Sequence, residues 1–140
     1  MWSLKAFDDL TTHELYRIIE LRERVFVVEQ ACVYLDADGL DPKCLHLFDA
    51  QITAYARIVP AGVKFADVSI GRVVVAPEAR GGGRARELMT RAIAACNGPI
   101  RIGAQAYLEA FYASLGFARV SENFLEDGIP HLEMLRPAGS

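Results

Sequence analysis

Three consecutive glycines stand between an apolar run and a segment of strong helix formers. The run from Val68 to Val75 is rich in β-branched residues and predicts a strand, and residues 85 to 95 predict a helix. Gly81, Gly82 and Gly83 carry no side chain where this helix begins, so backbone N–H groups can close on an anion that the helix dipole attracts. The turn from Arg80 to Ala85 therefore predicts a phosphate site, although a plain flexible turn would also contain such glycines.

Two well-known phosphate motifs do not match this turn. A Walker A loop ends in Gly-Lys-Ser/Thr, but Gly83 is followed by Arg84 and Ala85, which leaves no hydroxyl for magnesium. A Rossmann fingerprint that begins at Gly81 would need its third glycine at Arg86, where a bulky side chain stands instead. Nucleotide hydrolysis and dinucleotide chemistry are therefore disfavoured.

An acidic segment, Asp36-x-Asp38-Gly39-x-Asp41, superficially resembles a calcium-binding loop. The bidentate glutamate of such a loop would fall on Leu47, and the glycine stands at the fourth position instead of the sixth. We therefore expect a solvated loop beside the substrate entrance, and no metal site.

Composition narrows the class of partner. The chain has 140 residues, 52% of them hydrophobic, and a formal net charge of −3, which fits one domain over residues 1–140 and disfavours nucleic acid or an anionic membrane as partner. Its three cysteines have no metal-ligand spacing and predict reduced thiols. Without an apolar leader or membrane span, we expect a cytoplasmic protein that binds a small molecule.

The remaining pattern supplies the elements around the turn. Residues 2–6 alternate as a first strand, and Thr11 to Glu14 predict a capping box at the start of a helix that ends near Gln30. Further strands are expected at 45–49, 53–59, 100–104, 117–125 and 129–135, with a short helix at 108–115 and a hairpin turn at Asp127-Gly128. The order β-α-β-β-β-α-β-α-β-β predicts an α/β fold of the α+β type: a mixed, mostly antiparallel sheet flanked by helices.

The chain resembles the GNAT superfamily of N-acetyltransferases. Arg80-x-x-Gly83-x-Ala85 fits the family motif Arg/Gln-x-x-Gly-x-Gly/Ala, and residues 108 to 117 match a later segment with its Tyr and Gly-Phe. Stretches including Val25 to Gln30, Asp38 to Asp41 and Glu126 to His131 look like the ElaA-type branch. The resemblance implies a GNAT-like fold that binds acetyl-CoA as co-substrate without a metal.

The resemblance also places residues around the cofactor. It implies that the strand before the turn splays from its neighbour, that its main chain meets the pantetheine arm, and that the loop amides hold the pyrophosphate. Gln105 stands where the family usually has Asn. The implied cofactor contacts are Val73, Val74, Val75, Arg80, Gly81, Gly82, Gly83, Arg84, Ala85, Gln105 and Phe111, with Arg86 also near the turn.

Acyl transfer to an amine needs a base, an oxyanion donor and a proton for the departing thiolate. An ordinary lysine-like amine is neutral about one part in a thousand at pH 7, so the attacking nitrogen must lose a proton. Glu29, His46 and His131 are candidate bases, to be tested in the order Glu29, His131. By resemblance Tyr112 is the proton donor, and a backbone amide near Val73 or Val74 faces the oxyanion.

Two other functions are compatible with the pattern. The chain could bind acyl-CoA without transferring its acyl group, and an aminoacyl-tRNA-acetylating toxin is a third interpretation that the acidic balance disfavours. The acceptor, a small-molecule or peptide amine, is set by residues 31 to 43, the first helix and the last strands. Edge strands near the C-terminus favour a homodimer.

Overall fold

Three α-helices are interspersed among the strands of residues 1 to 139, which the computed structural model describes. The helices are α1 (Thr12–Arg22), α2 (Arg84–Ala94) and α3 (Glu109–Ala113). The strands are β1 (Trp2–Ala6), β2 (Leu45–Asp49), β3 (Ala54–Val59), β4 (Ser69–Val75), β5 (Ile100–Gln105), β6 (Ala118–Arg119), β7 (Phe124–Glu126) and β8 (Ile129–Arg136).

These strands form two antiparallel sheets that meet at one point. The first sheet has the order β1-β2-β3-β4, and in the second β8 lies between β5 on one side and the short strands β6 and β7 on the other. A parallel bridge between Val68 and Ile100 joins β4 to β5. The predicted fold class, a mixed and mostly antiparallel sheet with flanking helices, is confirmed.

The first helix begins as its capping box predicts. The Thr11 hydroxyl accepts the Glu14 N–H at 3.0 Å, and the Thr11 N–H donates to the Glu14 carboxylate at 2.9 Å. After Arg22 the chain does not stop but widens into a π-helix, Glu23–Glu29, in which the Gln30 N–H donates to the Val25 carbonyl at 3.0 Å. The predicted end near Gln30 is confirmed, whereas the π geometry was not predicted.

Helices cover both faces of the first sheet. Ile18, Leu21 and Val25 pack with Tyr55 of β3 on one face, whereas Leu88 and Met89 of α2 join a core cluster with Ala54 and Ala56 on the other. Because side chains alternate along a strand, all six residues of β3 are buried. The buried strand β3 therefore holds its neighbour β4, and the turn after β4, in a fixed position.

The second sheet departs from the prediction at its edge. The strand predicted at 117–125 is two short strands, β6 and β7, separated by residues 120–123. Both pair with β8, and Asp127 (φ +52°) and Gly128 (φ +77°) form the predicted turn between β7 and β8. All residues of β6 and β7 are exposed, so this is the edge at which the homodimer, still a prediction, would form.

Candidate functional site

A cleft opens where β4 and β5 separate. The strands are bonded at the Val68 carbonyl, which accepts the Arg101 N–H at 2.9 Å, and then diverge into separate sheets. The cleft has a volume of about 810 Å³. Its walls include Val73, Val74, Val75, Arg80, Gly103, Gln105, Leu108, Tyr112 and His131. The predicted splay of the strand before the glycine turn is therefore present.

A β-bulge shapes the β4 wall. Tyr55 of β3 faces Val74 and Arg57 faces Gly71, so Arg72 and Val73 together oppose the single residue between them. Arg72 adopts φ +50°, the left-handed conformation that a bulge of this kind uses. A bulge redirects the backbone locally, and here it does so at Val73 on the cleft. The assignment of an amide near Val73 or Val74 to the oxyanion stays a prediction.

The glycine turn depends on backbone angles that glycine adopts readily. Gly81, Gly82 and Gly83 have φ values of +82°, +83° and +80°, which residues with a Cβ rarely adopt. A Cβ added at any of them would meet nothing within 4 Å, so the glycines are needed for these angles and not to relieve crowding. Gly83 caps α2 without a side-chain hydrogen bond, which leaves first-turn N–H groups available to an anion.

The arginines around the turn have different partners. Arg80 donates from Nη1 and Nη2 to the two carboxylate oxygens of Glu29 at 2.7 and 2.6 Å, and from Nε to the Val75 carbonyl at 3.0 Å. Arg84 instead reaches Asp49 at 2.6 Å, and Arg86 reaches the Ser114 hydroxyl at 2.9 Å. Of these three arginines, Arg80 lines the cleft and Arg84 and Arg86 do not, so Arg84 and Ala85 can serve the predicted phosphate site through their backbone.

Tyr112 presents a protonated hydroxyl to the cleft. The side chain is buried between Phe111 and Phe117, with ring centroids 5.3 and 6.0 Å away, and burial raises the pKa of Tyr112 to about 12. Within residues 1 to 139 its hydroxyl has no hydrogen-bond partner, so it can donate to a ligand. Phe111, predicted to contact the cofactor, does not line the cleft and lies instead under the Arg86 guanidinium.

His131 has one nitrogen free to act as a base. Its Nδ1 lies 2.7 Å from the Ile129 carbonyl, which can only accept, so Nδ1 carries a proton and the lone pair of the neutral ring is on Nε2. The ring stacks on Phe124, and the nearest acidic oxygen to Nε2, in Glu126, is 3.7 Å away. The residue is 8% exposed and lines the cleft.

The other two candidate bases have less freedom. Glu29 lies in the cleft, but its hydrogen bonds to Arg80 hold the pKa of its carboxyl below the ordinary value. His46 lies outside the cleft, buried between the Tyr55 hydroxyl at 2.7 Å and the Asp41 carbonyl at 3.0 Å. Burial lowers the pKa of His46, which suits a neutral structural residue.

Two glutamines form a contact across the cleft that the sequence did not predict. The Gln105 and Gln30 amides each donate to the other at 3.2 Å, and together they connect the end of the π-helix with the end of β5. Glu29, the neighbour of Gln30, is bonded to Arg80 beyond β4. The π-helix end therefore contacts both arms of the splayed strands, an arrangement between residues 75 positions apart that no local pattern signals.

The acidic loop is solvated at residues 37 to 39 but not at Asp36 and Asp41, which corrects the expectation of a solvated loop. Asp36 and Asp41 are buried and receive Arg22 at 2.6 and 2.7 Å, and Arg57 binds Asp38 at 2.7 Å and Asp41 at 3.0 Å. Buried guanidinium groups bind these carboxylates in place of water, which is why the loop differs from the solvated loop that was expected. The loop does border the cleft, through Tyr34, Leu35 and Asp38.

In residues 1 to 139 no group of three or more His, Cys, Asp or Glu side chains is placed to hold a metal ion. No helix within the same range has the length and apolar character needed to cross a bilayer.

The splayed parallel strands and the glycine-capped helix define the class as an acyl-CoA N-acyltransferase fold. Residues 41–136 match the model of the acetyltransferase (GNAT) domain family. Protein ElaA of Escherichia coli is 39% identical over 145 residues, which cover 96% of this chain and 95% of that protein. The chain belongs to the GNAT family and, within it, to the ElaA-type branch.

Solved structures agree with this assignment. An acyl-CoA N-acyltransferase from Pseudomonas aeruginosa has a TM-score of 0.90 at 42% identity, over 97% of this chain and 99% of that one. The crystal structure of Escherichia coli ElaA also has a TM-score of 0.90, at 38% identity over 97% and 98% of the two chains. An N-acetylglutamate synthase from Neisseria gonorrhoeae, solved with coenzyme A, shares the fold at 13% identity with a TM-score of 0.65, over 100% and 36% of the chains.

Proposed function

We propose that this protein transfers an acetyl group from acetyl-CoA to an amine by direct attack within a ternary complex. The observation that carries the proposal is one continuous cleft that contains Arg80 at the glycine turn, the bulged β4 wall, Tyr112 and His131. The start of α2, which has no side-chain cap, fits an anionic group, and the unpaired edge of β4 fits an extended arm. Acetyl-CoA supplies the activated thioester.

Each chemical requirement has a residue in the cleft. His131 Nε2 takes the proton that the attacking amine must lose. A backbone N–H near Val73 or Val74 donates to the carbonyl oxygen as it becomes negative. As the N–C bond forms and the C–S bond breaks, the Tyr112 hydroxyl donates a hydrogen bond to the departing thiolate, which takes up the remaining proton of the nitrogen and leaves as the free thiol.

The direct test is a thiol-release screen of acetyl-CoA against a chemically diverse amine library. Release that depends on one amine, with the acetylated amine identified by mass spectrometry, supports transfer. Thermal stabilisation by acetyl-CoA without thiol release from any amine would instead support a binding module that lacks transfer activity.

We expect Tyr112→Phe to lower kcat by about 100-fold, with little change in coenzyme A affinity. A phenol with a pKa of about 12 is a weaker acid than a thiol of ordinary pKa near 8.5, so Tyr112 stabilises the thiolate mainly by hydrogen bonding. Turnover and calorimetric binding are measured on the same samples. Tyr107→Phe, which removes the hydroxyl of an exposed tyrosine in the same cleft, is the matched control. Equal turnover in both variants would remove Tyr112 from the mechanism.

We expect His131→Gln to lower kcat by about 100-fold, because the cleft then lacks the nitrogen that takes a proton from the attacking amine. Coenzyme A affinity, measured by calorimetry, should change little, which separates a role in the reaction from one in donor binding. Turnover is measured with acetyl-CoA and the best amine from the screen. His13→Gln, at an exposed position in α1, should leave turnover unchanged. Wild-type turnover in His131→Gln would assign the base to another group or to water.

A further inference from the structure

At the end of the cleft where the donor's phosphates would bind, a carboxylate is already paired with Arg80, the residue expected to meet phosphate. Glu29 binds Arg80 through both carboxylate oxygens, at 2.6 and 2.7 Å. This two-point geometry is also the geometry by which a guanidinium recognises a phosphate. Arg80 immediately precedes Gly81 to Gly83, so a phosphate at the turn would lie beside the same guanidinium.

Arg80 does not depend on Glu29 for its position. Its Nε–H donates to the Val75 carbonyl at 3.0 Å, which orients the guanidinium from the β4 side. Glu29, in contrast, comes from the end of the π-helix and binds the terminal nitrogens. Removal of the Glu29 charge should therefore leave Arg80 in place with its terminal N–H groups held less tightly.

We propose that Glu29 is an internal competitor of the donor's pyrophosphate for Arg80, and that it thereby weakens and sets the affinity for the acyl donor. The inference rests on the proposed function, because it assumes a pyrophosphate at the glycine turn. A bound phosphate draws the guanidinium away from the carboxylate, so donor binding includes the cost of separating this ion pair. Glu29 is then an affinity-determining residue and not the base of the reaction.

The sign of the mutational effect distinguishes this role from a contact with the donor. Replacing a residue that binds the donor weakens binding, whereas replacing a competitor strengthens it. For an exposed ion pair we expect Glu29→Gln to tighten coenzyme A binding by about three- to fivefold. Arg80→Gln should weaken binding.

The experiment is a double-mutant cycle on the full chain, with coenzyme A affinity measured by calorimetry. The variants are Glu29→Gln, Arg80→Gln and the two combined, and the Glu29 substitution should have no effect once Arg80 is absent. Glu78→Gln is the matched control, because Glu78 pairs with Arg24 and does not line the cleft. It removes the same charge nearby and should change the affinity less than Glu29→Gln does.

The outcomes separate the inference from the proposed function. Tighter binding in Glu29→Gln that disappears in the double variant supports the competition. Unchanged or weaker binding in Glu29→Gln, with the wild-type protein binding normally, overturns the inference alone. No coenzyme A binding by the wild-type protein overturns the proposed function and the inference with it.

Discussion

Gly82→Val is expected to abolish measurable coenzyme A binding while the protein stays folded. Gly82 has φ +83°, and a β-branched residue is strongly disfavoured in that conformation. The turn would have to change shape, and the N–H groups at the start of α2 would no longer converge on one anion. Calorimetry should show a loss of affinity of at least about 100-fold, which is the affinity equivalent of about 3 kcal/mol.

Gly62→Val separates this effect from simple backbone strain. Gly62 has φ +88° and, like Gly82, open space where a Cβ would stand, but it lies in the connection between β3 and β4 and does not line the cleft. Both variants should lose a similar amount of stability, about 1–2 kcal/mol. Only Gly82→Val should lose coenzyme A, and equal binding by the two variants would show that the turn does not hold the donor.

Arg22→Met is expected to cost about 3 kcal/mol of the free energy of unfolding. Arg22 is 1% exposed and binds Asp36 and Asp41, so its loss leaves buried carboxylates with fewer positive partners. Arg24→Met is the control, because Arg24 is an exposed residue paired with Glu78 and should cost much less than Arg22→Met. Urea unfolding at neutral pH measures both, and equal costs would contradict the importance of the buried cluster.

The same cluster predicts how stability depends on pH. Burial alone would raise the pKa of Asp41, but hydrogen bonds and charges from Arg22 and Arg57 lower it below the ordinary value, and Asp38 shifts the same way through Arg57. Carboxyls with lowered folded pKa values stabilise the fold above their unfolded pKa of about 3.9, and this contribution is lost as the pH falls through the folded values. The difference between wild type and Arg22→Met should therefore be largest at neutral pH and shrink in acid.

The sequence predicted those features whose cause is local. The Thr11–Glu14 capping box and the Asp127-Gly128 turn each depend on a few adjacent residues, and both formed where expected. The glycine turn lies between a β-branched run and a helical segment, so its place in the fold followed from the same local signals. Local signals of this kind are sufficient to place the candidate site in the fold.

The features that the sequence did not predict depend on partners far along the chain or on a choice between two helix geometries. Asp36 looked like a solvent-exposed loop residue because Arg22 and Arg72, which bury its charge, are 14 and 36 positions away. The widening of α1 into a π-helix has no signal in an apolar stripe that an α-helix also satisfies. Without that segment, the pairing of Glu29 with Arg80 could not be foreseen, and Glu29 remained a plausible free base.

The separation of the two sheets has a consequence for hydrogen exchange. In residues 1 to 139, the facing edges of β4 and β5 do not pair with each other beyond the Arg101 N–H bond to the Val68 carbonyl. Backbone amides along these edges, such as that of Gly103, can exchange with water unless a ligand occupies the space between them. A donor arm that bonds to both edges would slow their exchange and couple the two sheets. The loaded protein would then be its most rigid form, and departure of the free thiol product would loosen it again.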